Sequence, residues 1–497
     1  MKTSKTEEDQ LPVKPSVTTH TLTAGKERFT YEANADWITL RKKQRALAKM
    51  FHVAYFRQGV KDLAARPVTF VFNGGPGAAS AYLHMGAVGP KRVAFGNAGS
   101  VPPPPAKVVD NHETWLPFTD LVFIDPVGTG FSRSLDAPKK DGDKGGDSKP
   151  DDKENPEFWE NDRDLESLGE FIRSFLSKHK RWSSPVFIAG ESYGGYRVAK
   201  LARLVQERYG VGLNGAILIS PAIEWATLMG TDYTLEAWLD HMPTQAAVAH
   251  AHGRCKAVKK GTQLEKILPD AEQFARNEML QWLTLGDNLD PATTAKTAGK
   301  LSDWTGIPKD VLLRAGGRIK TEQFCRLLLR DEGKLAGFYD GSVTTIDPYP
   351  DRDTHEGPDP TLWSIDRLFG GSINHHLRST LGIDTELDYR LLSMEVNEAW
   401  KFDKKGRGGI PGAMDDLRYG MSLNLNMKVF ITHGYYDLVT PYYSSDRLVG
   451  LMKLPESERG RLTLKHFKGG HMFYSWDESR EAFTDAMKAF YRDAVGE

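Results

Sequence analysis

Short, almost entirely apolar runs recur along this chain, and segments with a helical spacing of apolar residues separate several of them. The runs are Val68–Phe72, Leu121–Asp125, Pro185–Ala189, Gly215–Ile219, Val429–Ile431 and Leu462–Leu464. A strand that is buried on both faces has this pattern, because neither face needs polar side chains. Residues 157–181 and the segment that starts near Gly195 place apolar residues on one helical face. The alternation predicts a mostly parallel sheet with helices on both faces.

A long helix-like segment interrupts the strand pattern. Residues 17–59 alternate polar and apolar positions, which predicts antiparallel strands. The buried strands end near residue 225 and resume after residue 425. We therefore expect a core formed by residues 17–225 and 426–497, with residues 226–425 inserted as a mainly helical cap.

Two charged segments have neither the strand pattern nor the helix pattern. Residues 1–16 are polar and predict a disordered tail, and residues 136–156 are rich in Lys, Asp, Gly and Pro. The second segment is expected to be a mobile loop. It follows the carboxyl end of a buried strand, where ligands bind in such sheets, so a gate is the alternative interpretation.

The composition of the chain limits the kinds of partner that we expect it to bind. The chain has 497 residues, 40% hydrophobic and 26% charged, with a formal net charge of -1. Such a balance gives no reason to expect nucleic acid as a partner, and no apolar run is long enough to span a bilayer. No apolar signal segment is visible at the N-terminus. We expect an exported protein if such a segment was removed, and a cytoplasmic one otherwise.

Cysteine usage excludes a disulfide-rich scaffold. Only Cys255 and Cys325 are present. The sequence leaves open whether they form one bridge or remain two thiols.

The segment Gly190–Gly194, with the sequence Gly-Glu-Ser-Tyr-Gly, joins an apolar run to a helical pattern. It predicts a sharp strand-to-helix turn that exposes the Ser192 hydroxyl as a nucleophile. The two glycines stand where side chains would collide with the neighbouring strand and helix.

A serine nucleophile needs a base and an acid that orients the base, in the chain order Ser, Asp or Glu, His. Asp437 and His471 each follow a predicted strand through a glycine-containing loop, at the edge that also carries Ser192. We expect His471 to take the serine proton and Asp437 to orient the imidazole. Asp446 and His466 are the rivals. They fit less well, because Asp446 is in a helix-like stretch and His466 is predicted to lie within a strand.

The glycine-rich turn Asn73–Gly77 follows the first buried strand and predicts an oxyanion hole. One backbone N–H of this turn and the N–H of Tyr193 can bind the developing negative oxygen. The alternative is a plain tight turn.

Glu191 is unusual beside a nucleophile, because its charge would oppose a developing oxyanion. It makes sense if it is protonated and donates a hydrogen bond to a substrate carboxylate, with Asn73 as a second donor. An acidic pH preference would follow. The alternative is that Glu191 points away and forms a salt bridge elsewhere.

Together these motifs resemble the serine carboxypeptidases, the family of carboxypeptidase Y. The resemblance rests on Asn73–Gly77, Asn111–Trp115, Asp125–Ser132, Gly190–Tyr196 and Gly469–Met472. It implies an α/β-hydrolase fold with a helical cap and removal of one C-terminal residue from peptides. The site residues that it implies are a triad of Ser192, Asp437 and His471, oxyanion donors Gly75 and Tyr193, carboxylate-binding residues Asn73, Gly74 and Glu191, and Met472 in the leaving-residue pocket.

The chain also departs from the eukaryotic members. Ala78 stands where they have a cysteine of their disulfide network, and Ala87 where many have a second glutamate that pairs with the one beside the serine. The segments Leu83–Pro90 and Gly434–Leu438 look more like bacterial members.

The sequence therefore predicts a serine carboxypeptidase that acts on peptides with a free C-terminus, without a metal or an organic cofactor. The alternatives are an acyltransferase or esterase on the same scaffold, and a noncatalytic binding protein that kept the fold. A homodimer is one assembly that the sequence leaves open.

Overall fold

The structure, a computed structural model, describes residues 14–135, 156–352, 359, 361–402 and 410–496. The predicted tail at 1–16 and charged loop at 136–156 lie almost wholly outside the described residues. The strands are β1 Ser16–Ala24, β2 Glu27–Lys42, β3 Arg45–Arg57, β4 Val68–Phe72, β5 Lys91–Val93, β6 Val108–Asp110, β7 Asp120–Ile124, β8 Arg133–Ser134, β9 Val186–Glu191, β10 Gly215–Ile219, β11 Lys334–Ala336, β12 Thr344–Ile346, β13 Lys428–Thr432 and β14 Leu462–Leu464.

The α-helices occupy both halves of the core and most of the segment between β10 and β13. They are α1 Ala81–Leu83, α2 Asn161–Lys178, α3 Tyr193–Tyr209, α4 Glu236–Ala251, α5 Leu264–Phe274, α6 Leu280–Leu285, α7 Pro291–Thr305, α8 Lys309–Arg314, α9 Thr321–Leu327, α10 Leu362–His375, α11 Met394–Glu398, α12 Met414–Leu423, α13 Tyr442–Gly450, α14 Glu456–Arg459 and α15 Asp477–Val495.

Among the described residues, ten strands form one sheet in the order β1-β2-β3-β7-β4-β9-β10-β13-β14, with β8 paired to β3. The first three strands pair antiparallel, as the alternation in residues 17–59 predicts. From β7 to β14 each neighbouring pair is parallel. The prediction of a mostly parallel central sheet is confirmed, and the carboxyl ends of β4, β9, β10, β13 and β14 share one edge.

Two hydrophobic clusters cover the two faces of this sheet. Phe70 and Phe72 of β4 belong to one cluster, with α2 and α3, whereas Val71 belongs to the other, with α10 and α15. Because both faces are covered, β4 is buried along its whole length. Burial of each such large side chain stabilises the fold by about 1.5–3 kcal/mol.

The described residues of the segment 226–425 are mainly helical, and their hydrophobic contacts extend to the rest of the chain. Its helices α4 to α9 share a third hydrophobic cluster with Leu438 and Tyr442, which follow β13. Its last helices, α10 and α12, pack instead on the two faces of the sheet, where Phe369 and Leu417 join the core clusters. The division into core and cap therefore stays a prediction.

Cys255 is half-buried and Cys325 is buried, and neither is bridged. Over the described part of the chain, no helix combines the length and apolar character needed to cross a membrane.

Candidate active site

Ser192 lies at the sharp turn between β9 and α3. Its backbone has φ 62 and ψ -125, a conformation that side chains rarely adopt. The flanking glycines make the turn feasible. A Cβ on Gly190 would strike the carbonyl of Gly194, and one on Gly194 would lie 2.7 Å from the oxygen of Phe72. Strain of this kind is typical of functional turns.

The end of β10 connects Ser192 to His471. The N–H of Ser192 donates to the carbonyl of Ile219 at 2.9 Å. The next residue, Ser220, donates from Oγ to the carbonyl of His471 at 2.7 Å. Residues that are 279 positions apart in the chain are thus anchored to adjacent residues at one edge of the sheet.

Asp437 holds the imidazole of His471 in a fixed orientation. Its Oδ2 lies 2.7 Å from His471 Nδ1. The same carboxylate accepts hydrogen bonds from the N–H groups of Val439 and Thr440 and from the Thr440 hydroxyl. Asp437 is fully buried. These donors satisfy its charge and leave His471 Nε2 as the nitrogen that is free to accept a proton.

The electrostatics of His471 suit a general base. Burial lowers the pKa of His471, but the charge and hydrogen bond of Asp437, with a smaller effect of Glu191, outweigh burial and raise it above its ordinary value. Among the described residues, the buried Nε2 of His471 has no hydrogen-bond partner. This nitrogen can therefore accept a proton without giving up another hydrogen bond.

The two rival residues contact each other. His466 Nε2 lies 2.8 Å from Asp446 Oδ1. The prediction that His466 lies within a strand is wrong, because β14 ends at Leu464. That segment is polar on alternate positions, so the sequence alone does not show where pairing stops.

The turn Asn73–Gly77 lies directly against the serine turn. A Cβ on Gly74 would overlap the backbone nitrogens of Tyr193 and Gly194. Gly75 has φ 98, a region that favours glycine. The glycines therefore allow the two backbone turns to touch at Gly74 and Tyr193, next to the predicted oxyanion donor Gly75.

Glu191 is buried between Asn73 and Tyr474. Asn73 Nδ2 donates to Glu191 Oε2 at 2.6 Å, and the Tyr474 hydroxyl lies 2.8 and 3.0 Å from the two carboxyl oxygens. Burial raises the pKa of Glu191 to about 7, against the opposing effects of His471 and of the two hydrogen bonds. A carboxyl group with this pKa is largely protonated in mildly acidic solution.

Tyr474 is the contact that sequence reasoning missed. It follows His471 by three residues, with no pattern that links it to Glu191, which lies 283 positions away. Its ring packs over Gly86, where a Cβ would lie 2.6 Å from it. The nearby Ala87 provides no second carboxyl group, and the phenol of Tyr474 contacts Glu191 instead.

Met472 is buried and lines a small cavity together with Tyr339, whose ring centre lies 5.1 Å from that of His471. The other lining residues include Val101, Asp340 and Ile365. Within the described ranges, no group of three or more His, Cys, Asp or Glu residues is arranged to hold a metal ion.

Comparison with known families matches the family model "Serine carboxypeptidase" to residues 25–299, more than half of the chain. This chain belongs to the serine carboxypeptidase family. The match includes the turns at Asn73 and Ser192, whereas Asp437 and His471 lie beyond it.

Two curated relatives come from a plant and a fungus. Serine carboxypeptidase-like 45 of Arabidopsis thaliana is 29% identical over 44% of this chain and 43% of its own length. Pheromone-processing carboxypeptidase kex1 of Aspergillus fumigatus is 25% identical over 42% of this chain and 28% of its own length. The matched segment thus spans less than half the length of these curated relatives.

One solved structure matches nearly the whole chain. It is Kex1(Δ)p, a prohormone-processing carboxypeptidase from Saccharomyces cerevisiae, with a TM-score of 0.52 and 16% identity. The match covers 93% of this chain and 91% of that one. This likeness concerns the fold, and with the sheet described above it confirms the predicted α/β-hydrolase fold.

Proposed function

We propose that this family member is a serine carboxypeptidase that releases the C-terminal residue of peptides through an acyl-enzyme. The observation that carries this proposal is the buried Glu191 beside the serine turn, hydrogen-bonded to Asn73. A hydrolase of esters or internal peptide bonds has no use for a carboxyl group there. In an exopeptidase, a protonated carboxyl group at this place can donate a hydrogen bond to the terminal carboxylate.

In the proposed reaction, His471 Nε2 takes the proton of the Ser192 hydroxyl, which attacks the last peptide carbonyl. The N–H groups of Gly75 and Tyr193 bind the oxyanion. His471 then protonates the leaving amine, and water hydrolyses the acyl-enzyme by the same proton transfers in reverse order.

The terminal carboxylate is proposed to bind Asn73, the N–H of Gly74 and protonated Glu191. Glu191 donates its proton into a hydrogen bond, so two carboxyl groups share one negative charge. Met472 contributes to the pocket of the leaving residue. We further propose that the chain is a bacterial-type member of the family, and the resemblance of Leu83–Pro90 and Gly434–Leu438 to bacterial members supports this proposal.

The pH dependence follows from the two pKa shifts. Turnover needs neutral His471, whose raised pKa sets an acid limb. Recognition of a free carboxylate needs protonated Glu191, so kcat/KM should fall as pH rises through about 7. A substrate without a terminal carboxylate should show only the acid limb.

The test compares a blocked dipeptide free acid with its C-terminal amide and ester from pH 5 to pH 9, where the flanking values span roughly two units on each side of this pKa. We expect the free acid to be strongly preferred below neutrality and the preference to fade above it. Ser192→Ala serves as the inactive control. Equal turnover of acid and amide at every pH would favour an esterase or acyltransferase instead.

A further inference from the structure

Arg197 is buried in the second turn of α3, just beyond the nucleophile. Its Nε donates to Asp164 Oδ2 at 2.7 Å and its Nη2 to Asp164 Oδ1 at 3.1 Å. The two side chains are 0% and 2% exposed. This paired, two-point contact fixes the plane of the guanidinium group and leaves one nitrogen, Nη1, pointing elsewhere.

That nitrogen contacts the glycine-rich turn. Arg197 Nη1 donates to the carbonyl of Asn73 at 2.6 Å and also lies 3.4 Å from the carbonyl of Gly74. The N–H of Ala78 donates to the same Gly74 oxygen at 3.1 Å. Arg197 thus reaches two successive peptide units immediately after β4.

Because a trans peptide unit is planar, a contact that fixes its carbonyl group also fixes the direction of its N–H group. The carbonyl and the N–H of one peptide unit point in opposite directions. Fixing the Asn73 carbonyl therefore orients the N–H of Gly74. Fixing the Gly74 carbonyl orients the N–H of Gly75.

We propose that Arg197, held by Asp164, is a positioning residue that aligns the Gly75 N–H for the oxyanion and the Gly74 N–H for the substrate carboxylate. The inference rests on the proposed roles of these two N–H groups. Arg197 would then affect both the rate of the chemical step and the recognition of the C-terminus.

Two features explain why an arginine suits this position. A guanidinium group stays charged and offers several donors in one plane, so it can bind Asp164 and the turn together; a lysine ammonium is a single point. The guanidinium also lies 4.9 Å from the ring centre of Tyr193, whose N–H is the second proposed oxyanion donor. Arg197 therefore contacts both chain segments that carry the proposed oxyanion donors.

The fold provides a matched control at the opposite end of β4. Arg181 is equally buried and pairs with Asp120 at 2.6 Å. Its Nη2 donates to the carbonyls of Arg66 and Pro67, which precede β4. Arg181 and Arg197 thus make the same kind of contact before and after one strand, and only Arg197 lies at the serine.

The experiment compares Arg197→Met and Arg197→Lys with Arg181→Met in the full chain. We measure the thermal unfolding midpoint, the rate at which an alkyl fluorophosphonate labels Ser192, kcat per labelled site, and the ratio of kcat/KM for a peptide free acid over its amide. Labelling needs the oxyanion hole but no substrate carboxylate.

We expect both methionine variants to unfold at a lower temperature. Only Arg197→Met should also lose about 100-fold in labelling rate and in kcat, the size expected for a misplaced oxyanion donor. Its preference for the free acid should shrink as well. Arg197→Lys should show smaller losses in the same direction. If Arg197→Met does not fold, Arg197→Lys is the variant to compare with the wild type and with Arg181→Met.

Wild-type labelling rate and acid-to-amide ratio in a folded Arg197 variant would overturn the inference. Equal losses in Arg181→Met would do the same, because they would show a general effect of destabilisation. If the wild type is labelled but cleaves no peptide, the proposed function fails, while the labelling rates still decide the role of Arg197.

Discussion

Tyr474 and Asn73 stabilise one carboxyl group from two sides, and their hydrogen bonds decide how readily Glu191 gives up its proton. Both contacts lower the pKa of Glu191, whereas burial raises it to about 7. Since Asn73 and Tyr474 both reach Oε2, the proton of Glu191 is best carried on Oε1.

Replacing Tyr474 with phenylalanine should move the alkaline limb of kcat/KM for a free-acid peptide to higher pH. The lost hydrogen bond stabilised the charged form by about 1.5–3 kcal/mol, which corresponds to about 1–2 pH units. The measurement is kcat/KM against pH. Tyr491→Phe is the control, because that buried hydroxyl bonds Thr69 on another part of the sheet. An unchanged limb in Tyr474→Phe would contradict the assigned role of the phenol.

At the same scale, the sequence indicates the role of a residue that belongs to a local motif. It does not indicate the role of a residue whose partners are distant in the chain. Ser192 is recognisable because strand, turn and helix are adjacent in the chain. Tyr474 and Arg197 have no such local signal, because each reaches its partner only after β4, β9 and the His471 loop have come together.

At the scale of elements, the loops after β13 and β14 are packed with no space between them. A Cβ on Gly434 would overlap the carbonyls of Gly469 and Gly470, directly before His471. The glycine in the first loop therefore determines where the second loop can lie.

Gly434→Ala should lower kcat by about 100-fold, because the added methyl group pushes the loop that carries His471 out of line. Steady-state kinetics of the folded variant provide the measurement. Gly460→Ala is the matched control, since a Cβ there meets open space. Full kcat in Gly434→Ala would show that the histidine loop tolerates displacement.

His52 is buried between β3 and α2, where its charged form is disfavoured. It lies in β3, with its ring 5.1 Å from Phe171 and 5.5 Å from Phe175 of α2. Burial lowers the pKa of His52 to about 3, assisted by Lys178 and opposed by Asp36. The unfolded chain therefore binds a proton below about pH 6.5 that the folded protein does not, so this histidine weakens the fold as pH falls through that range.

His52→Leu should therefore be more stable, relative to wild type, at pH 5 than at pH 8, by about 2 kcal/mol. Denaturant unfolding at the two pH values measures this difference, whatever the packing effect of leucine. Met50→Leu, at a buried position of the same strand that carries no titratable group, should show no such dependence. A pH-independent difference for His52→Leu would mean that folding leaves the pKa of His52 unchanged.

The strands were predictable at this scale because full burial makes them nearly free of polar residues. The boundaries of β4 and β10 agree with the apolar runs to the residue, whereas β14 ends before His466. The region between β10 and β13 was not predictable in detail, because its helices pack partly on each other and partly on the sheet, which periodicity does not distinguish.

At the scale of the whole molecule, residues that follow a strand of the sheet pack against the helices inserted between β10 and β13. Leu438 and Tyr442 leave the end of β13 and enter the cluster formed by α4 to α9. Asp437 immediately precedes Leu438, so the acid of the proposed triad stands at the boundary between the two packing units.

We expect the described core and inserted helices to unfold in one transition. Met242→Ala, inside the inserted helices, should cost about 2–5 kcal/mol and shift far-ultraviolet circular dichroism and tryptophan fluorescence equally. Trp238 and Trp282 report on the inserted helices, and Trp115 on the sheet. Two separate transitions would show that these units are energetically independent.

The position of Leu438 also bears on how this protein can be inhibited. A small molecule that separated α4 from the segment after β13 would displace the residue next to Asp437 without contacting Ser192. Such a compound need not mimic a peptide or carry a reactive warhead, and competing substrate would not displace it.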